Sequence, residues 1–274
     1  MNTSDKLANL QTLLTAEKRL AVAFSGGIDS AFLLKIAHDA LGDNCLAVTA
    51  VSPLVPGVDL QDAADFCASL GVRHITVSFN ALSDPDICRN PPERCYICKK
   101  RLFTAMKAAV GKLSFYSFAE GSNADDTSDY RPGMRAVREL GVLSPLLKSG
   151  LTKHEIRRTA REIDIPLWHK PSAACLASRI PYGEPITADK LRKIADSEDF
   201  IRREILGSDS PLRVRISGED SARIEVAEND ADRLFSRRQE VSHVLHSFGF
   251  RYVSLDLDGF RSGSMNEVLG GDLK

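Results

Sequence analysis

The stretch Leu20-Ala-Val-Ala-Phe-Ser-Gly-Gly-Ile-Asp-Ser30 decides how this chain folds. Its first half, Leu20 to Phe24, is an uninterrupted apolar run of the kind that forms a buried strand. Downstream, Phe32, Leu33, Ile36, Ala37, Ala40 and Leu41 recur at helical spacing and mark one face of a helix. Between them lies Ser25-Gly26-Gly27-Ile28-Asp29-Ser30. A strand, a double-glycine turn and a helix start make an anion cradle. Glycines reach backbone conformations closed to other residues and let the chain approach an anion. The helix start adds free N–H groups and the positive end of its dipole. Ser25 and Ser30 supply hydroxyl donors, and Asp29 can hold a Mg2+ ion bound to the same phosphates. A plain Gly-Ser turn would use the same residue types; the flanking strand and helix favour the cradle.

The loop is not a Walker A site, because GxxxxGK[ST] is absent and no lysine stands at the helix start. It resembles the SGGxDS pyrophosphate loop of the ATP pyrophosphatase (PP-loop) superfamily. The resemblance implies an enzyme that cuts ATP between its α- and β-phosphates and attaches AMP to a substrate oxygen. That limits the reaction class and leaves the substrate open.

Working outward, strand candidates follow at Cys45–Ser52, His74–Phe79 and Ser114–Ala119, with a helix from about Val58 to Leu70. Strands alternating with helices argue a parallel sheet covered on both faces. Thr152 and Glu155 form a capping box that opens a helix ending near Ile165-Pro166. From His169 to Pro185 the chain is rich in proline and small residues and reads as a functional loop or connection. Beyond it lie a helix over about 187–206, strands at Leu212–Ile216 and Ala222–Val226, a helix over about 231–248 and a strand at Tyr252–Leu257. The expected fold is therefore α/β: a parallel-sheet domain over 1–168, of the PP-loop (adenine nucleotide α-hydrolase-like) type by resemblance. A smaller C-terminal α+β domain over 169–274 follows, carrying the Cys175 loop. No internal repeat is visible.

The 274 residues suffice for one large domain or two modest ones, and 43% hydrophobic with 27% charged residues is ordinary for a globular protein. A net charge of -1 implies no bulk attraction to nucleic acid. No apolar run approaches the roughly 20 residues needed to span a bilayer, and Met-Asn-Thr-Ser-Asp-Lys6 does not resemble a signal peptide. The expected location is the cytoplasm. There cysteines stay reduced, and a close pair suggests metal or chemistry before a structural disulfide.

Of the six cysteines, Cys45 and Cys67 lie in apolar patterns and read as packing residues. Cys95 and Cys98 form Arg94-Cys-Tyr-Ile-Cys-Lys99 at the start of a helix. The helix start and the cations Arg94, Lys99, Lys100 and Arg101 favour thiolates. At this spacing two thiolates can chelate a metal centre or form a redox pair, and Cys88 is a conceivable third ligand. A closed zinc site needs four ligands, and no second CxxC is present. Two unliganded thiols are the bland alternative. Cys175 stands in a proline-bracketed loop, with Arg179 able to anchor an anion or stabilise a thiolate.

Pro171-Ser-Ala-Ala-Cys175-Leu-Ala-Ser-Arg179-Ile-Pro-Tyr-Gly-Glu184 resembles the signature of the LarE family, the sulfur transferases that make the nickel-pincer cofactor of lactate racemase. The likeness extends through Glu120-Gly-Ser-Asn-Ala-Asp-Asp126, Asp129-Tyr-Arg-Pro-Gly133, Leu212–Arg215 with Ala222–Glu225, and Leu255–Glu267, so it covers nearly the whole chain. It implies a small nucleotide substrate, pyridinium-3,5-biscarboxylic acid mononucleotide. ATP with Mg2+ adenylates a ring carboxylate, and sulfur replaces AMP to leave a thiocarboxylate. A carboxylate needs this activation because its oxygen leaves badly, whereas AMP leaves well. Ser25, Gly26, Gly27 and Ser30 would hold the triphosphate and Asp29 the Mg2+. Gly121 and Asn123, with Asp126 of the same motif, would close over the nucleotide at the end of the fourth strand. Arg213 and Arg215 alternate onto one strand face and can clamp a phosphate; they also read as solvent-facing residues of a half-buried strand.

The family implies two sulfur sources. In one, the Cys175 thiolate attacks the acyl-adenylate, and elimination then releases the thiocarboxylate and leaves dehydroalanine. In the other, Cys95, Cys98 and Cys175 hold a 4Fe-4S cluster whose fourth iron carries an exchangeable sulfide. The presence of all three cysteines fits the cluster branch. A homo-oligomer, hexameric by resemblance, and other enzymes of the nickel-pincer pathway are the implied partners. The competing reading is a PP-loop tRNA 2-thiolation enzyme, which predicts an RNA-binding module and a basic face that the sequence does not display. An ammonia-using ATP pyrophosphatase would need none of these cysteines.

Overall fold

The computed structural model describes residues 2–115, 117–127, 132–171, 174–207, 210–218, 220–261 and 263–268. Position 116 of the fourth strand candidate, 129–131 of one family motif, 172–173 ahead of Cys175 and 262 near the C-terminus lie outside the described residues. The chain divides into two compact units, Met1–Asn80 with Glu93–His169, and Ala81–Pro92 with Lys170–Lys274.

The first unit runs α1 (Thr3–Thr15), β1 (Leu20–Ala23), α2 (Ile28–Leu41), β2 (Cys45–Val51), α3 (Gly57–Leu70) and β3 (Arg73–Ser78). After an excursion through α4 (Pro85–Cys88) it resumes with α5 (Arg94–Gly111), β4 (Ser117–Ala119), α6 (Gly133–Glu139), α7 (Pro145–Lys148) and α8 (Lys153–Glu162). The four strands are parallel, in the order β3-β2-β1-β4. Side chains alternate across this sheet. Leu20, Val22, Cys45 and Ala47 pack with Leu10, Leu14, Phe32, Phe66 and Ile156 on one face. Ala21, Leu46, Val48 and Phe118 pack with Phe103, Met106, Val110 and Val137 on the other. Apolar residues on both faces explain the uninterrupted runs in the sequence. The chain builds outward from β1 to β3 and then returns to add β4 on the opposite side of β1. Open α/β sheets bind ligands at such a reversal, beyond the C-terminal strand ends.

β4 is shorter than its expected span, because Ser114 has a φ of 62° and the chain is still closing the end of α5 there. The capping box of α8 is present, with the Thr152 hydroxyl accepting from the Glu155 N–H and the Glu155 carboxylate accepting from the Thr152 N–H.

The second unit contains α9 (Ala188–Ile201), β5 (Leu212–Ile216), β6 (Ser221–Val226), α10 (Glu228–Ser236), α11 (Arg238–Ser247) and β7 (Tyr252–Leu255). β5 pairs antiparallel with β6, and β7 parallel with β6. The helix expected over 187–206 is α9 followed by a π-helical turn, Arg202–Leu206. The helix expected over 231–248 is interrupted at Arg237, which leaves helical geometry (φ −104°, ψ 20°) while its guanidinium bonds Glu240 and the Glu204 carbonyl.

An uninterrupted first region over 1–168 does not match these units, since Ala81–Pro92 packs with the C-terminal residues. The reason is backbone pairing: the Gly183 N–H donates to the Asn90 carbonyl (2.9 Å) and the Ile186 N–H to the Cys88 carbonyl (2.8 Å).

Candidate active site

The loop after β1 is ordered by its own hydroxyls. The Ser25 N–H donates to Ser30 Oγ at 3.2 Å, the two serine oxygens lie 3.1 Å apart, and Ser30 Oγ donates to the Gly27 carbonyl at 3.0 Å. Gly26 has a φ of 74°, and a Cβ there would stand 2.5 Å from the Asp59 carbonyl oxygen. Gly27 is the N-cap of α2, so that helix start receives no hydrogen bond from an N-cap side chain. These are the features of a phosphate-binding helix end.

Asp29 stands in the first turn of α2. Its Oδ1 is buried without a hydrogen-bond partner among the described residues. Burial raises its pKa, opposed by the Lys153 charge and the Asn123 side chain, while the Asp126 charge adds to the rise. Lys153 Nζ is 4.0 Å from Asp29 Oδ2. A buried carboxylate oxygen with no donor, near a second carboxylate, fits a hard cation that takes its remaining ligands from phosphate and water. Asp29 thus suits Mg2+. Lys153 and Arg157, whose charge also lowers the Asp29 pKa, had no role in the sequence reading. Their i, i+4 spacing on α8 was the available signal.

The segment after β4 lies against this helix start. A Cβ on Gly121 would fall 2.9 Å from the Ser30 nitrogen and 3.0 Å from its Cα, so only glycine allows the approach. The Asn123 N–H donates to Asp126 Oδ2 (3.0 Å) and Asn123 Oδ1 accepts from the Asp125 N–H (3.0 Å). Ser25, Gly26, Gly27, Asp29, Ser30, Gly121, Asn123 and Asp126 therefore gather at the reversal point of the sheet. Glu120, unassigned from sequence, anchors the segment: it accepts from Ser144 Oγ (2.7 Å), Ser122 Oγ (2.8 Å), the Ser122 N–H (3.1 Å) and Lys99 Nζ (3.1 Å). Burial alone would push its pKa up, but Lys99 and the two hydroxyls outweigh that and hold it low.

Lys99 belongs to the CxxC helix. Cys95 and Cys98 occupy the first turns of α5, whose N-cap Glu93 makes no side-chain cap. Buried Arg94 directs Nη2 to Cys95 Sγ at 3.4 Å. Two other nearby cations serve elsewhere, Lys99 on Glu120 and Lys100 on Glu139 and Tyr96. The Cys88 thiol points at the Leu82 carbonyl (3.4 Å) and belongs to the second unit.

In the second unit, Cys175 precedes a 3-10 turn, Leu176–Arg179. Arg179 is fully employed by protein. Nε and Nη2 bind both oxygens of Glu198 (2.8 and 3.1 Å), and Nη1 donates to the carbonyls of Ala174 (2.7 Å) and Cys175 (3.3 Å) and to Ser178 Oγ (2.9 Å). Arg179 thus fixes the Cys175 backbone. Glu198 also accepts from the Val214 N–H (3.0 Å) and Arg202 (3.1 Å). Burial would raise its pKa, but these partners, Arg179 foremost, hold it low.

Arg213 and Arg215 are not solvent-facing; all five residues of β5 are buried. Arg215 commits each of its three guanidinium nitrogens to protein, binding Glu225 (2.5 Å), the Ser178 carbonyl (2.7 Å) and Ser264 Oγ (2.9 Å). Among the described residues Arg213 makes one long hydrogen bond, to the Arg261 carbonyl (3.3 Å), and its guanidinium carbon lies 4.5 Å from the centre of the Phe260 ring. Burial and the like charges of Arg215 and Arg179 lower its pKa to about 10. An anion beside Arg213 would relieve that repulsion.

Among the described residues no three His, Cys, Asp or Glu side chains form a group that could hold a metal ion. Cys95 and Cys98 lie in the first unit and Cys175 in the second. The soft thiolate donors of Cys95, Cys98 and Cys175 suit iron–sulfur chemistry.

Sheet order, glycine loop and uncapped helix start define an ATP pyrophosphatase of the PP-loop class. In agreement, the NAD synthase family model matches residues 8–85, which include the whole loop. An uncharacterised Synechocystis protein is 38% identical over 266 residues, 96% of this chain and 98% of its own length. The pyridinium-3,5-bisthiocarboxylic acid mononucleotide synthase of Lactiplantibacillus plantarum is 36% identical over 265 residues, 96% of this chain and 95% of that protein. The chain belongs to this synthase family, LarE. By contrast, the tRNA-specific 2-thiouridylase of Rhizobium etli is 25% identical over 62% of this chain and 52% of its own length.

Proposed function

We propose that this enzyme carries out ATP-dependent sulfur transfer in nickel-pincer cofactor biosynthesis, converting a carboxylate of pyridinium-3,5-biscarboxylic acid mononucleotide into a thiocarboxylate. The observation that carries the first half-reaction is the buried, unpartnered Asp29 oxygen at the uncapped start of α2. The triphosphate binds the loop from Ser25 to Ser30, where Asp29 would hold a Mg2+ ion that would supply positive charge to the phosphates. The substrate carboxylate attacks the α-phosphorus, the bond to the β-phosphate oxygen breaks, and pyrophosphate leaves. Lys153 and Arg157 offset its charge. Gly121 and Asn123 keep the nucleotide against α2. Arg213, with donors to spare, takes the substrate phosphate.

Sulfur delivery rests on the cysteines. Written through this chain alone, the Cys175 thiolate adds to the acyl-adenylate carbonyl and AMP departs, leaving a thioester. A base removes the Cα proton, the Cβ–S bond breaks, and the thiocarboxylate leaves dehydroalanine at position 175. The i, i+3 spacing of Cys95 and Cys98 supports the second route. With Cys175 as third ligand, a 4Fe-4S cluster would supply an iron open to exchangeable sulfide. On the same reading the enzyme acts as a cytoplasmic homo-oligomer beside other enzymes of the pathway.

The test combines anaerobic reconstitution with iron and sulfide, product assay and intact-protein mass. Pyrophosphate and thiocarboxylate must form together. Loss of one hydrogen sulfide from the protein with one product per subunit supports the sacrificial route. Repeated turnover on added sulfide with all cysteines intact supports the cluster. Absence of pyrophosphate release when the dicarboxylate is present sinks the proposal.

A further inference from the structure

We infer that Asn90 is a positioning residue for sulfur transfer, holding the polypeptide that follows Cys175; the inference rests on the proposed role of that cysteine. Asn90 is 0% exposed and sits at a φ of 53°, a left-handed conformation that a short amide side chain tolerates better than most. Its Nδ2 donates to the carbonyls of Ile180 (3.2 Å) and Pro181 (2.7 Å), and its own carbonyl accepts from the Gly183 N–H (2.9 Å). Two residues earlier, the Cys88 carbonyl accepts from the Ile186 N–H (2.8 Å). The segment Ala81–Pro92 thus clasps the chain just beyond the Cys175 turn.

On the other side of that turn, Arg179 holds the carbonyls of Ala174 and Cys175. The seven residues from Cys175 to Pro181 are consequently gripped from both ends. Within them lies only a short 3-10 turn, whose Ser178 carbonyl also accepts from Arg215 of β5 (2.7 Å). A nucleophile must come within about 3–3.5 Å of its target carbonyl, and misplacement by about 1 Å can cost about 100-fold in rate. Asn90 touches no reacting atom; it fixes where the turn ends, as Arg179 fixes where it begins. Its backbone geometry also provides the control. Glycine adopts the same φ without the amide, so Asn90→Gly removes the side-chain bonds to Ile180 and Pro181 with little backbone strain. Asn90→Asp keeps the shape while placing an acceptor against two carbonyls.

Both full-length variants are to be compared with the wild type for pyrophosphate release, for thiocarboxylate formation and for amide hydrogen exchange at Gly183 and Ile186. The expected result is pyrophosphate release close to wild type, thiocarboxylate formation lower by about tenfold or more, and faster exchange at both amides. A role in stability alone would lower both half-reactions in proportion, and that result overturns the inference. So does wild-type thiocarboxylate formation in both variants. A wild-type enzyme that releases pyrophosphate but never forms thiocarboxylate sinks the reading of Cys175 beneath it; normal behaviour confined to the variants sinks the clasp alone.

Discussion

A single methyl group tests the nucleotide end of the site. In Gly121→Ala the new Cβ meets the Ser30 nitrogen at 2.9 Å, and a backbone atom inside a helix start cannot swing aside. Overpacking of this kind costs about 1–3 kcal/mol, and the helix end that receives the phosphates must shift. Pyrophosphate release should fall on the order of tenfold or more, with the far-ultraviolet circular dichroism spectrum unchanged. That the glycine loop closes an apolar strand and opens a helix was legible in the sequence, because the apolar run and the helical periodicity flank it directly. Partnerships were not. Arg213 and Arg215 look equivalent in Leu-Arg-Val-Arg-Ile, yet one spends its donors on Glu225, Ser178 and Ser264 while the other keeps most of its own. Which guanidinium stays available depends on residues ten to fifty positions away.

Between elements, Glu198 joins three pieces of the second unit: α9, on which it stands, β5 through the Val214 N–H, and the Cys175 turn through Arg179. Removing one partner of a buried ion pair leaves the other charge uncompensated, at a cost of about 3–5 kcal/mol. Glu198→Ala should lower the urea midpoint correspondingly, and Glu198→Gln by less, because its amide oxygen still accepts from Val214. Equal midpoints for wild type and Glu198→Ala would show that the carboxylate is dispensable. Helix and strand types in this region were legible, since the 3.6 and 2 periodicities survive. The burial of a glutamate within α9 was not, because a charged residue on a helix ordinarily signals a solvated face. The break at Arg237 was equally hidden, being held by a side chain bonded to a distant carbonyl.

For the molecule as a whole, Glu155 binds the N-terminal helix to α8. It accepts from Lys6 Nζ (2.7 Å) and Thr3 Oγ1 (3.0 Å) while closing its own capping box. The Lys6 hydrogen bond, with those from Thr152, lowers its pKa from 4.5 to about 2. A carboxyl with a depressed folded value favours the folded state above the unfolded value and loses that advantage as pH falls through the folded one. Wild type should therefore exceed Glu155→Gln in stability at pH 7. The gap should narrow between about pH 4.5 and about pH 2, followed by urea midpoints at several pH values. A constant gap would place the effect in packing instead. At this scale a parallel sheet covered on both faces was readable from the alternation of apolar runs with helices, whereas the order β3-β2-β1-β4 was not. The return of Ala81–Pro92 to the C-terminal unit was not, since backbone hydrogen bonds between Asn90 or Cys88 and residues past 180 leave no trace in local composition.

That return has a consequence in time. Asn90 and its partner Pro181 are separated by 91 residues, and at a synthesis rate of about 5–20 residues per second the gap lasts roughly 5 to 18 s. During that interval the parallel sheet can close around its own core while Ala81–Pro92 hangs from it without a partner, Ile87 and its neighbours exposed to solvent. The nascent chain thus carries an unfinished segment through about a third of its synthesis, and the second unit is completed around a peptide made long before the rest of it.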